Sequence, residues 1–215
     1  MRFTSLVVEL IRARPRLVVI IVLLCQAALW LATALLFYRS PPVDLATALA
    51  FGREYRVGTD LGPPLSLWLA DIAYRLSGNH MFGVYLLAVL ASSATLWLVY
   101  LLARTIVGGQ QAVLAVLLTM TITAFGAPTL EFGPEVLARP LWALLLLHSW
   151  QIIGQRRGNA WFAWSIEAGL LLLTTPAAIF LLLLIVVFAI STAGMNAAGP
   201  SQLRRPSWSS HEVNP

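Results

Sequence analysis

The sequence contains no lysine; all fourteen of its basic residues are arginine. It has a single cysteine, Cys25, inside an apolar run, so no intramolecular disulfide forms and the redox compartment stays open. Charge is scarce. Asp, Glu, Lys and Arg together make 11% of the chain, where a soluble globular domain carries about 25%. That excludes an ordinary soluble domain. There is no glycine-rich loop of the kind that cradles nucleotide phosphates. The three histidines, His80, His148 and His211, are not spaced as zinc ligands, so no metal-binding residues are assigned. The net charge of +5 is read as membrane topology, because the arginines flank apolar runs and form no basic face for nucleic acid.

What the chain does have is hydrophobic length: 59% of its 215 residues are apolar. Residues 1–16 hold four arginines against Glu9 and form a cytoplasmic N-terminal segment, with Phe3–Ile11 lying on the membrane surface. Leu17–Tyr38 follows without a charge, long enough to cross a bilayer core of about 30 Å and too long for the core of a cleaved signal peptide. Further spans are expected at Met81–Ile106, Gln111–Ala127 and Pro140–Ile153. Trp161–Ile190 is too long for one straight span, and Thr174-Thr175-Pro176 at its middle breaks it. A hairpin there returns the tail to the cytoplasm and leaves nine arginines inside and five outside, counted from the sequence. The fold class is all-α: a polytopic membrane protein of five or six transmembrane helices over residues 17–190, with a disordered polar tail at 191–215.

The residues that invite chemistry lie in the polar loop 39–80, which holds four of the nine acidic residues. Asp44 falls in the first turn of a helical run, Val43–Arg53, where the helix dipole favours a carboxylate whether or not it has another role. Beyond a turn-rich patch, Leu65, Trp68, Leu69, Ile72 and Leu76 form one stripe of an amphipathic interfacial helix, with Trp68 at headgroup depth. Asp71 and Arg75 fall on its other face, where Asp71 is expected to be solvated. Farther on, Glu131, Glu135 and Arg139 recur every four residues and would share one helix face. Glu131 and Glu135 read more readily as a solvated loop end than as a site. Glu167 lies inside a span, where an acid is a functional candidate by default; a neutral or arginine-paired structural acid is the simpler reading. His148 reads as a polar packing residue.

The order Asp44, Pro63-Pro64-Leu65-Ser66-Leu67-Trp68, the turn Arg104–Gly109, Pro140-Leu141-Trp142 and Gly169–Thr175 resembles the N-terminal part of GT-C glycosyltransferases. It is most similar to the protein O-mannosyltransferase-like group, which includes bacterial lipid A aminoarabinose transferases. The resemblance covers roughly residues 15–190. It implies a transferase of the bacterial inner membrane that moves a sugar from a polyprenyl-phosphate donor to an extracytoplasmic lipid or glycan acceptor. It implies Asp44 as the catalytic carboxylate, and a substrate-binding set of Arg53, Arg56, Pro63, Pro64, Trp68, Arg75, Glu135 and Arg139. The phosphate needs a cation; no cofactor is implied beyond a divalent cation, and the arginines are the alternative.

The chain departs from the family pattern at several positions. Leu45 stands where many members have glutamate, and Gly62 where many have lysine before Pro-Pro-Leu. Thr175-Pro176 replaces a further lysine. Family enzymes are about twice this length, so a truncated copy is expected. The alternative is a non-catalytic membrane subunit, or a lipid-binding remnant of the same fold. A transporter ranks third, because one broken helix is visible where paired broken repeats would be needed.

Overall fold

The computed structural model describes residues 9–37, 43–55, 62–122 and 132–197. Those residues are helical, with short connections. We number the helices α1 (Pro15–Phe37), α2 (Val43–Gly52), α3 (Leu65–Leu76), α4 (Phe82–Val107), α5 (Gly109–Thr121), α6 (Pro134–Ile153), α7 (Ala160–Leu172) and α8 (Ala178–Ala197). The chain divides into two compact units, Met1–Ile179 and Phe180–Pro215. Three helices, α1, α4 and α6, are long and apolar enough to cross a membrane, and α5, α7 and part of α8 are shorter apolar helices. The protein is an all-α membrane protein.

Local sequence explains most of the boundaries. Pro15 opens α1 and Pro134 opens α6, each at a position whose N–H would have no helical partner. Glu135 sits in the first turn of α6, where the dipole favours it. Gly108 turns α4 into α5 at φ 92°, a left-handed conformation natural to glycine. Two expectations shift. The fourth span starts at Pro134 and not at Pro140, which lies inside α6; membrane helices tolerate an interior proline because neighbouring groups take up the freed carbonyl. The helix after the break reaches Ala197, past the expected boundary at 190. The third span is helical over Gly109–Thr121, and its remainder, at 123–131, lies outside the described residues.

Helix α4 is the centre of the first unit, with α1, α3, α5 and α6 all packed on it. Its buried residues include Val84, Ala88, Ala91, Ser92 and Thr95, a mostly small-residue face at helical spacing. Small side chains let membrane helices approach closely where no hydrophobic force drives them together. Two buried clusters mark the ends of the unit. One joins Ala34, Leu45, Leu49, Ala70, Val84, Tyr85, Phe132 and Val136, and is called here the loop end. The other joins Val19, Leu23, Leu96, Tyr100, Ala112, Val113 and Val116. At this arginine end the Arg16 guanidinium lies 5.6 Å from the Trp97 ring centre, a cation–π contact.

The short loop helix α3 is turned the other way round from a soluble amphipathic helix. Its buried residues are Ser66, Leu67, Ala70 and Asp71, while Ile72 and Leu76 are 41% and 83% exposed. The small and polar face points into the protein and part of the apolar stripe points out, which suits a helix lying against lipid.

Candidate functional site

Two polar constellations stand out in the first unit, one along α4 and α6 and one on the loop helix α3. The first is a cavity of about 550 Å³ between α4, α6 and the turn after α7. Glu135 and Arg139, one helical turn apart on α6, line it together with Trp142, Thr95, Val99 and Thr175. The spacing that placed Glu135 and Arg139 on one face is realised here, with α4 and the chain around Thr175 forming further walls. A guanidinium and a carboxylate beside apolar and aromatic wall atoms suit a ligand with an anionic head and a long apolar tail.

The second constellation surrounds Asp71, which is fully buried. Its Oδ2 accepts a hydrogen bond of 2.8 Å from the Tyr55 hydroxyl and lies 2.7 Å from Nε of Arg75. Its Oδ1 lies 4.0 Å from Nε of Arg53 and, among the described residues, has no hydrogen-bond partner. The Arg75 guanidinium carbon sits 5.8 Å from the centre of the Tyr55 ring, and the Tyr55 and Trp68 rings are 6.4 Å apart. The hydrogen bond to Asp71 raises the Tyr55 phenol above its ordinary value; desolvation and the carboxylate's charge add to this and Arg75 opposes it. Asp71 is therefore not the solvated loop residue expected from sequence. A solvated carboxylate would have needed to face water, and this one faces the interior of the loop.

Asp44 is the second residue of α2, and Leu45 beside it is buried in the loop-end cluster. The Asp44 side chain, together with Arg56 and Glu131, lies outside the described residues. Pro64 is buried at the N-cap of α3, Pro63 is half-buried beside it, and Trp68 is half-buried one turn on. The structure thus sets Glu135 and Arg139 along one cavity and, separately, brings Arg53 and Arg75 together at Asp71. Among the described residues no three His, Cys, Asp or Glu side chains lie together as a metal set.

The chain matches the dolichyl-phosphate-mannose-protein mannosyltransferase family over residues 62–198, more than half its length. It belongs to that family. No curated protein and no solved structure matches it. The mannosyltransferase family consists of membrane glycosyltransferases of GT-C type whose sugar donors are carried on a polyprenyl phosphate. The matched stretch takes in Pro63, Pro64, Trp68, Arg75, Glu135 and Arg139 and leaves out Asp44, Arg53 and Arg56.

The structure also places the acid of α7. Glu167 on α7 is buried and meets Nδ1 of His148 on α6, at 2.8 Å and 2.9 Å for its two oxygens. Nearby, Nε1 of Trp164, one turn before Glu167, donates to Oγ of Ser149, next to His148, at 2.8 Å. The acid's partner is thus a histidine and not an arginine, and His148 is a partner and not a bystander. Together the two pairs tie α6 to α7 inside the bilayer, where a polar group without a partner is costly. Sequence reasoning missed Asp71 and Tyr55. The four-residue spacing of Asp71 and Arg75 was the signal available for the first of them.

Proposed function

We propose that this protein transfers a sugar from a polyprenyl-phosphate donor to an extracytoplasmic hydroxyl-bearing lipid or glycan, at the loop end of the bundle. The observation that carries the reading is the cavity between α4 and α6, whose apolar wall carries Glu135 and Arg139 one turn apart. The wall suits an isoprenoid chain, and the Arg139 guanidinium suits the phosphate that leaves. Asp44, at the start of α2, is the proposed base. It takes the proton of the acceptor hydroxyl as the new bond forms at the sugar's anomeric carbon and the bond from that carbon to the phosphate oxygen breaks. The negative charge moves onto the departing polyprenyl phosphate, where a cation is worth most. A divalent cation fits the same place, because such an ion is commonly held by one carboxylate and phosphate oxygens, and Glu135 is a carboxylate of this cavity. The family match and the apolar helices support an integral membrane location. The arginine-rich N-terminus facing the cytoplasm, and the bacterial inner membrane as the setting, belong to the same proposal.

The test is transfer in membranes from a radiolabelled polyprenyl-phosphate sugar. Asp44→Asn keeps the size and much of the hydrogen bonding but cannot accept a proton, so the rate is expected to fall about 10²–10⁴-fold. Arg139→Gln is expected to weaken donor binding, with Arg139→Lys recovering part of it. Wild-type transfer by Asp44→Asn removes the base assignment. The second reading, a lipid-binding subunit without chemistry, draws on the same cavity wall. Donor binding that depends on Arg139, with no transfer by the wild-type chain, identifies it.

A further inference from the structure

A buried carboxylate is an expensive device if its purpose is stability alone. The desolvation of charged groups offsets much of the attraction between them, and an apolar residue often serves as well. Asp71 nevertheless sits fully buried on a helix of twelve residues. The groups it meets are two guanidiniums on different elements. Arg75 comes from α3 itself and Arg53 from the end of α2, and their side chains are 54% and 64% exposed. One negative charge thus organises two positive ones whose outer surfaces remain open. Its Oδ1, buried and without a hydrogen bond among the described residues, faces Arg53 at 4.0 Å.

We infer that Asp71 is a positioning residue, which holds Arg53 and Arg75 as a paired site for the phosphate of a bilayer phospholipid. The setting names the ligand. Arg75 is next in sequence to Leu76, which is 83% exposed, and it follows Ile72, which is 41% exposed, so this side of α3 offers apolar surface to lipid. Tyr55 and Trp68, with rings 6.4 Å apart, stand beside the arginines as the aromatic residues of a membrane interface commonly do. A headgroup phosphate is the anion found at that depth, and arginine's planar fork matches its oxygens. The inference does not rest on transfer: it concerns how the loop is seated, and it uses neither Asp44 nor the cavity of Glu135 and Arg139.

The positioning claim makes a prediction opposite in sign to simple electrostatics. Asp71→Asn removes a negative charge beside two arginines, so charge alone predicts tighter anion binding, and loss of positioning predicts weaker. The full chain is purified in mild detergent with phosphatidylglycerol or with zwitterionic phosphatidylcholine, and retained lipid is counted by native mass spectrometry. Wild type is expected to retain phosphatidylglycerol preferentially. Asp71→Asn, Arg53→Gln and Arg75→Gln are each expected to weaken that retention by about tenfold, the scale of one charge-assisted hydrogen bond. Arg75→Lys keeps the charge, loses the fork and is expected to weaken it similarly. Both arginines are largely exposed, so their variants decide the matter even where Asp71→Asn fails to elute as a folded species. Tighter retention by folded Asp71→Asn overturns the inference. So does equal retention by wild type and both glutamine variants, or displacement of phosphatidylglycerol by stoichiometric decaprenyl phosphate.

Discussion

At the scale of single residues, the bilayer changes what a charge means. Asp71 and Glu167 are both buried acids, and each meets a side chain, Tyr55 or His148, that local spacing does not connect to it. Tyr55 reports on the first of them. Its phenol is raised by the bond to Asp71, so its neutral form is favoured in the folded chain. The associated stability is present in full below the ordinary phenol value of about 10 and is lost as pH rises through the folded value. Ultraviolet difference titration of wild type against Tyr55→Phe isolates this phenol. A midpoint above about 10 is expected, falling toward it in Asp71→Asn; a midpoint unchanged by that substitution contradicts the bond. The shared face of Glu135 and Arg139 was legible, because four residues on a helix bring two side chains to one side. The Glu167–His148 pair was not, since nothing in local spacing says which helix lies opposite.

At the scale of elements, close approach explains where glycine is needed. A Cβ on Gly83 would run into the carbonyl oxygen of Ala73 and into the Ser77 side chain, so α3 and α4 meet there backbone to side. Gly83→Ala is expected to push α3 off α4 and to destabilise the loop end by about 1–3 kcal/mol. Gly169→Ala on the exposed face of α7 meets nothing within 4 Å and is expected to stabilise by up to about 1 kcal/mol. Thermal unfolding in detergent compares the two, and equal midpoints would remove the packing argument. The apolar runs gave the boundaries of α4 to within a residue, and the break at Thr174-Thr175-Pro176 lies where proline required it. The facing of α3 was hidden, because hydrophobic periodicity finds the stripe but not whether lipid or protein covers it. The start of α6 was hidden for a related reason. An interior proline ends a soluble helix, yet is tolerated between membrane helices.

At the scale of the molecule, the ends of the first unit differ in charge as well as in structure. Arg12, Arg14, Arg16, Arg104, Arg156 and Arg157 fall at one end, and Arg53, Arg75 and Arg139 at the other. The proposed orientation, with the arginine end in the cytoplasm, is the one the positive-inside rule favours. Single cysteines at His80 and Gly158, in a Cys25→Ser background, test this with a membrane-impermeant thiol reagent on intact cells. Label at position 80 and none at 158 is expected, and the reverse pattern would invert the proposed site.

One backbone hydrogen bond links this architecture to the order in which the chain is made. The N–H of Leu65, at the first turn of α3, donates to the carbonyl of Leu173 at the break after α7, at 3.4 Å. Both groups are orphans of helix ends, and they satisfy each other. During synthesis, however, the donor emerges from the ribosome long before its acceptor. The Pro-Pro-Leu loop must therefore wait, threaded but unfastened, until α7 has been inserted. A nascent chain arrested before that point would carry α1 to α6 with this loop still open. This fastening is expected to come late in biogenesis, with protease protection of the Leu65 end in length-arrested chains rising once α7 has left the insertion machinery.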